Sequence, residues 1–513
     1  MLHSPPPPYP LAAFRLAFAD RPTLAVVAIA TLVKLLVVLV LVHPTLSTEG
    51  DAPGYLAFAR SIAGDGQWLH PPSWIGDPLP TFFIRLAGYP LVMAAALAVG
   101  GDAFVSVLLL FQIVVSTCVL LVVTGLAAAV IQARGLRVVF ALAVCFGSPF
   151  LYDLLGLSDS LYAGLFILVV FGLGGAIAGV WRLGIGSLLG LGLIWSYSIL
   201  VRDAGLFFTL LPVVGVLALD PGTACGLRLR LIRAGAFLLP VLLVVSAYTG
   251  FNQLRTGTAF FSVAGVVNYL YPVFRMVETG YANPLDGDDP VSTTYREIKA
   301  TPDLAGMVAT VTALMQARHL NTLEAAAITR AKLADTIQRF PGAYARLVLV
   351  NLKPDKQAYN LTNPSYILND LLAFGPFVGA RTMPGFQQTF RELRHHFSVG
   401  VLLTFIATDV FDIPSLLLFA LFAVGVPAVV LARLIRGQAV TRRLGLAFYL
   451  WAGHVGVVLS YSLVHFEIRY MLPVVPSALL AMTIMVETVR ERYRRSRHLL
   501  PQEPLPPPCQ DSR

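Results

Sequence analysis

Charge is scarce in this sequence. Asp, Glu, Lys and Arg make up 13% of its 513 residues, while 57% are hydrophobic. A soluble domain carries about 25% charged residues. Half that density, at a mean hydropathy of +0.74, cannot cover a water-facing surface, which excludes a soluble enzyme and a disordered chain. Cysteine is equally sparse. The four cysteines, Cys118, Cys145, Cys225 and Cys509, fall in apolar runs or on the side read below as cytoplasmic, so no disulfide framework is expected. There is no CxxC, no HExxH and no Cys/His cluster to hold a structural metal. The Gly-rich loop followed by Gly-Lys that cradles nucleotide phosphates is also missing.

Long apolar runs are abundant. The first, Leu24 to Val42, is too long for a signal peptide and no small-x-small cleavage site follows it. Others fall near 103–131, 138–152, 159–180, 183–200, 204–219, 232–250, 413–432, 444–463 and 470–486. A membrane-spanning helix needs roughly 20 apolar residues, so about ten spans are expected, within a range of nine to twelve. The fold class is all-α and polytopic. Gly88 to Gly100 is apolar but short, which suits an interfacial or re-entrant helix.

The net charge of +9 follows the same topology. Arg15 and Arg21, Arg134 and Arg137, Arg182, Arg228 to Arg233, Arg433 to Arg443 and the basic tail from Arg490 all fall on one side if ten spans alternate. By the positive-inside rule that side is cytoplasmic, and both termini lie there. The basic excess then faces a lipid bilayer, not nucleic acid. The expected segments are a lead-in at 1–22, an N-terminal transmembrane module at 23–250 with an outer loop at 43–102, a long outer loop or small helical domain at 251–412, C-terminal spans at 413–487 and a tail at 488–513. Within the long loop, Thr322 to Val350 has helical periodicity, with Leu323, Ala326, Ala327, Arg330 and Ala331 on one face.

Charges in the short outer turns need a reason. Asp51 and Tyr55 lie four apart after the first span, on one face of a helix opened by Pro53. Asp51 reads either as that helix's cap or as a general base at the lipid boundary. Arg85 precedes Gly88-Tyr89-Pro90 and reads as a phosphate counter-ion or a headgroup anchor. Asp159 opens the fourth span as a cap or a working acid. Arg202 and Asp203 are adjacent and could neutralise each other. Glu467, Arg469 and Tyr470 sit in a short loop where charge is costly without a partner. Lys34 is the one clear charge inside a span, about 13 Å along the helix from His43 at 1.5 Å per residue. It would meet a lipid phosphate or an unidentified polar group.

The order Asp51-x-x-x-Tyr55, Arg85…Gly88-Tyr89-Pro90, Asp159, Arg202 and Glu467-x-Arg469-Tyr470-x-x-Pro473 resembles the GT-C glycosyltransferases, specifically the bacterial protein-mannosyltransferase-like and aminoarabinose-transferase-like branch. The resemblance covers about 23–275 and 413–487; nothing in 276–412 matches. It implies a GT-C-like helical bundle with extracytoplasmic interfacial helices, in a bacterial inner membrane. It also implies inverting transfer of a sugar from a polyprenyl-phosphate donor to an extracytoplasmic acceptor. In that scheme Asp51 and Asp159 are the catalytic acids, with Asp51 as base. Arg85, Arg469 and Arg202 bind the donor phosphate, and Glu49, Tyr55, Tyr89, Glu467 and Tyr470 line the cavity. No cofactor or metal is expected, with a divalent cation at the outer acids left open. Two departures stand out: Ala87 replaces a proline common in relatives, and Gly50 separates Glu49 from Asp51. A secondary transporter or a polymerase or ligase of lipid-linked glycans are the alternatives.

Overall fold

The computed structural model describes residues 8–41, 51–69, 85–147, 152–154, 156–219, 226–352, 421–464 and 468–498. Glu49, Glu467 and the stretch 353–420 lie outside the described residues, as does the side chain of Arg469. The described chain is helical; its β-structure is a single bridge between Pro8 and Arg182.

Ten elements build the N-terminal bundle: α1 (Leu11–Ala19), α2 (Arg21–Leu36), α3 (Ala52–Arg60), α4 (Gly88–Gly100), α5 (Phe104–Val130), α6 (Arg134–Cys145), α7 (Ser158–Ile177), α8 (Ile185–Val201), α9 (Leu210–Leu217) and α10 (Leu227–Thr256). After a single turn of helix at Gly265–Asn268, five shorter or more polar helices follow: α11 (Tyr271–Glu278), α12 (Pro290–Glu297), α13 (Leu304–Arg318), α14 (Thr322–Arg339) and α15 (Pro341–Asn351). The last described helices are α16 (Val426–Ile435), α17 (Arg442–Val464) and α18 (Val475–His498).

Among the described residues, six helical stretches are long and apolar enough to cross a membrane, and three shorter apolar ones accompany them. The chain is a polytopic membrane protein, nearly all helical among the described residues. Every apolar run read from the sequence is mainly helical where it is described. Of the run near 138–152, residues 138–145 lie in α6. The short helix expected at Gly88–Gly100 forms with those bounds and joins α5 through a 3-10 turn at Gly101–Ala103.

Burial ranks these helices. In α7, 83% of the apolar window is inside the protein; in α10 the figure is 22%. A helix apolar on all sides is stable only when surrounded, so α7 is the hub and α10 the rim, offering Leu239, Leu242 and Leu243 to lipid. Helices α5 and α8 pack on α7, and the 3-10 turn Ile468–Val474 covers its start. Close crossings use glycine, as membrane helix contacts commonly do. A Cβ at Gly125 would stand 2.2 Å from the Ala13 carbonyl oxygen, so α1 lies directly across α5.

Residues 265–351 form a second cluster around Val266, Phe274, Met307, Leu314 and Leu333. Two caps order it. Asn321 and Glu324 form a reciprocal capping box at the start of α14, the arrangement that satisfies two otherwise orphaned N–H groups. At α12, Asp289 accepts from the Val291 and Ser292 N–H groups, each at 3.1 Å, and receives the buried Lys332 ammonium. Lys332 also donates to the Pro284 carbonyl at 2.6 Å and the Ser292 hydroxyl at 2.9 Å. Partial burial pushes the Asp289 carboxyl up, but hydrogen bonds from Lys332 and Ser292 outweigh it and hold the group below its ordinary range.

This ammonium decides which face of α14 turns inward. The inward face is Thr322, Ala325, Thr329, Lys332, Leu333 and Thr336, not the one carrying Ala327, Arg330 and Ala331, which are exposed. A lysine with three acceptors waiting is better satisfied inside than a run of alanines is rewarded there. The cluster rests on the end of α17, where Tyr344 donates to the Leu463 carbonyl at 2.5 Å and Asn351 to that of Ser462 at 3.4 Å.

Candidate functional site

Two acid–arginine pairs meet where α3, α4, α7 and α8 converge. Asp51 stands at the N-cap position of α3, yet its side chain caps nothing. It is instead ion-paired with Arg85, which precedes α4. The reading of Asp51 as a plain cap is therefore replaced. A carboxylate gains more from a guanidinium than from an N–H that water can satisfy. Asp159, in the first turn of α7, likewise makes no cap and is paired with Arg202 at the end of α8. Arg202 thus bypasses Asp203, its neighbour in sequence. Asp203 accepts from the Ser262 hydroxyl at 2.7 Å.

Tyrosines join the pairs. The Arg85 guanidinium lies 5.3 Å from the centre of the Tyr55 ring, and Tyr55 meets Tyr89 edge-on at 5.1 Å. The Tyr55 hydroxyl is 2.8 Å from the hydroxyl of Ser158, the residue before Asp159. On the far side, Arg202 stacks on Tyr470 at 4.3 Å, and Tyr470 on Tyr461 at 4.5 Å. A continuous polar and aromatic chain therefore runs from Asp51 to the turn that carries Arg469. Tyr89 is anchored by donating to Gln112 at 3.0 Å, and the carbonyl of Gly88 accepts from Tyr197 at 2.9 Å.

The two pairs differ in access. Side-chain exposure is 17% for Asp51 and 32% for Arg85, but 2% for Asp159 and 15% for Arg202. A group that takes a proton from a ligand must be reachable by it. Asp51 meets that condition, whereas Asp159 is committed to its arginine. Cation–π contact with Tyr55 and Tyr470 further fixes the orientation of both guanidinium groups.

Lys34 has a partner that spacing alone did not identify. It is 1% exposed and bonds Asp153 at 2.5 Å and Ser116 at 3.0 Å. Asp153 thus turns into the bundle. Beside it lies a cavity of about 30 Å³, lined by Ser116, Tyr152, Asp153, Ser160, Leu472 and Pro476 among others, with room for one or two waters. Ser158, Gln112 and Asp153 also went unassigned in the sequence. Gln112 left a trace as the polar residue inside an apolar run, and Lys34 as an intramembrane charge that requires an acid. Among the described residues no group of three or more His, Cys, Asp and Glu could hold a metal ion.

No family model matches the sequence, and no curated protein matches it. Among solved structures, the chain is similar to the oligosaccharyltransferase AglB of Archaeoglobus fulgidus in complex with an inhibitory peptide and a dolichol-phosphate. Identity is 14% and the TM-score 0.44, over 94% of this chain and 52% of that one. A structure of the oligosaccharyltransferase from the same organism, tethered to an acceptor peptide containing an NVT sequon, gives 13% identity and a TM-score of 0.44, over 93% and 50%. The chain spans about half the length of the solved structures it matches.

Proposed function

We propose that this protein is an inverting membrane glycosyltransferase of the GT-C type. It moves a sugar from a polyprenyl-phosphate donor to an extracytoplasmic protein, lipid or envelope glycan. The observation that carries this reading is the meeting of Asp51–Arg85 and Asp159–Arg202 through Tyr55 and Ser158, 103 positions apart in the chain, with Arg202 stacked on Tyr470. Between the two pairs, Asp51 is the reachable carboxylate and the arginines are held in fixed geometry, as transfer from a lipid phosphate needs.

In this scheme the acceptor O–H gives its proton to Asp51 as its oxygen bonds the anomeric carbon. The bond from that carbon to the phosphate oxygen breaks on the opposite face, and the electron pair leaves with the lipid phosphate. Arg85 and Arg469 stabilise the charge that develops there. Arg202, held by Asp159 and Tyr470, keeps the turn of Arg469 in place and adds positive potential. Tyr55 and Tyr89 pack against each other beside the pairs; a lining role for Glu49 and Glu467 falls outside the described residues. The site faces the extracytoplasmic side of a bacterial inner membrane, both termini are cytoplasmic, and residues 251–412 are an outer segment that carries the helices of 265–351.

The test is mass spectrometry of envelope glycans from cells with the gene, without it, and with Asp51→Asn at matched protein abundance. Loss of a general base costs about 10²- to 10⁴-fold, so the Asn variant should reproduce the deletion phenotype, a glycan lighter by one sugar. Unchanged glycans in the deletion strain would remove the transferase reading; full glycans with Asp51→Asn would remove the base assignment alone.

A further inference from the structure

The Lys34 network plays no part in that reaction scheme, yet it touches the site from within. Two opposite charges have been taken out of solvent here. A buried pair of this kind seldom adds net stability over apolar residues of the same volume. What it supplies is direction, because each group accepts only certain partners. Lys34 on α2 donates to Asp153 and to Ser116 on α5. The second Asp153 oxygen accepts from Ser160 on α7. Ser160 directly follows Asp159 and lies two residues after Ser158. Three consecutive residues at the start of the hub helix therefore each hold a different partner: Ser158 bonds Tyr55, Asp159 pairs with Arg202, and Ser160 bonds Asp153. A rotation of this turn that served one would break the other two.

We infer that Lys34 and Asp153 are positioning residues. Through Ser160 they set the first turn of α7 so that Asp159 meets Arg202 and Ser158 meets Tyr55. The inference rests on the proposed function for its effect on transfer, but not for its effect on structure.

Two variants test it in full-length, detergent-purified protein and in cells. Ser160→Ala keeps the ion pair and cuts its link to α7. Lys34→Met/Asp153→Leu replaces the pair by apolar groups of similar size, so the fold is retained. Both should keep the wild-type melting temperature. In both, amide protection of 156–162 and 52–60 should fall by about tenfold through local opening. In cells, sugar should be added to envelope glycan at least about tenfold more slowly, since misplacement by an ångström can cost about 10². Ser160→Thr, which retains the hydroxyl, should restore both. Unchanged protection in Ser160→Ala would overturn the inference, whatever the glycans show. Lower protection with full transfer would overturn the role in positioning. If the deletion strain has normal glycans, the transferase reading fails while the protection measurement still decides the inference.

Discussion

Replacing Gly88 by alanine should separate the two halves of the site. Gly88 opens α4, three residues after Arg85, and sits against the end of α8. A Cβ built there would lie 2.4 Å from the Leu200 carbonyl carbon, 2.5 Å from the Val201 nitrogen and 2.6 Å from the Leu200 oxygen. All three are backbone atoms, so no side-chain rotation can relieve the contact. The shortfall from 2.4 Å to the 3.4 Å at which ordinary contact begins is about 1 Å, and α4 must move off α8 by that much. Overpacking of this sort costs about 1–3 kcal/mol, and the Tyr197 bond to the Gly88 carbonyl would stretch. Arg85 is carried by one side of this contact and Arg202, one residue past Val201, by the other. The same displacement should lower transfer by about 10²-fold. The assay pairs the apparent melting temperature with the envelope glycan measurement. Gly190→Ala, on the same α8 with nothing within 4 Å of the added carbon, is the control and should leave both unchanged. A Gly88→Ala protein with wild-type melting and wild-type transfer would refute the close approach of α4 and α8 on which the geometry of the site depends.

The helical cluster at 265–351 should depend on pH through Asp289. Its folded carboxyl titrates below the ordinary value, so its contribution is present above the unfolded pKa of about 3.9 and is lost as pH falls through the folded one. Hydrogen exchange across α12 in the full-length protein, followed from pH 6 downward, should show protection persisting below that value. In Lys332→Met burial acts on Asp289 with less opposition, so protection should fail at higher pH; an unmoved profile would contradict the role of the ammonium. At the other end of the bundle, Glu487 on α18 accepts from the Gln132 and Ala133 N–H groups, each at 2.7 Å, ahead of α6. Glu487→Ala should lower stability by about 1–3 kcal/mol for each N–H left unsatisfied. Glu487→Gln, which keeps an acceptor oxygen, should recover most of it in a thermal melt; equal losses for the two variants would mean that charge, not the capping bond, matters there.

Much of the scaffold was legible because membrane helices reveal themselves by length and apolarity, each read within a single window. Helices α5, α8 and α17 emerge with nearly the expected bounds for that reason. The site was legible in kind, as charges where charge is expensive, but not in its pairings. Asp51 beside a helix start satisfies every local rule for a cap, and Arg202 beside Asp203 every local rule for a neutral dipeptide. Both rules lose to partners 34 and 43 positions away, which only packing can bring near. The inward face of α14 was not legible for a related reason: it is set by Lys332, whose acceptors come from Pro284, Asp289 and Ser292, at separations of 48, 43 and 40 positions. Helix bounds depend on nearest neighbours, and the chemistry of the site depends on residues far apart in the chain.

The pairing of Lys34 with Asp153 also has a consequence for the order of synthesis. The acid lies 119 residues after the lysine. At about 5–20 residues per second, the ribosome needs roughly 6–24 s to deliver it. For that interval the first span must hold a lone ammonium in the bilayer, at a cost of about 2.5–3.5 kcal/mol on an insertion scale, met by the hydropathy of 2.4 across Arg21–Leu39. The helix therefore enters the membrane on its apolar residues alone and waits there for its counter-ion. A substitution that weakens the rest of that span would act during biogenesis, before the finished protein has any ion pair to lose.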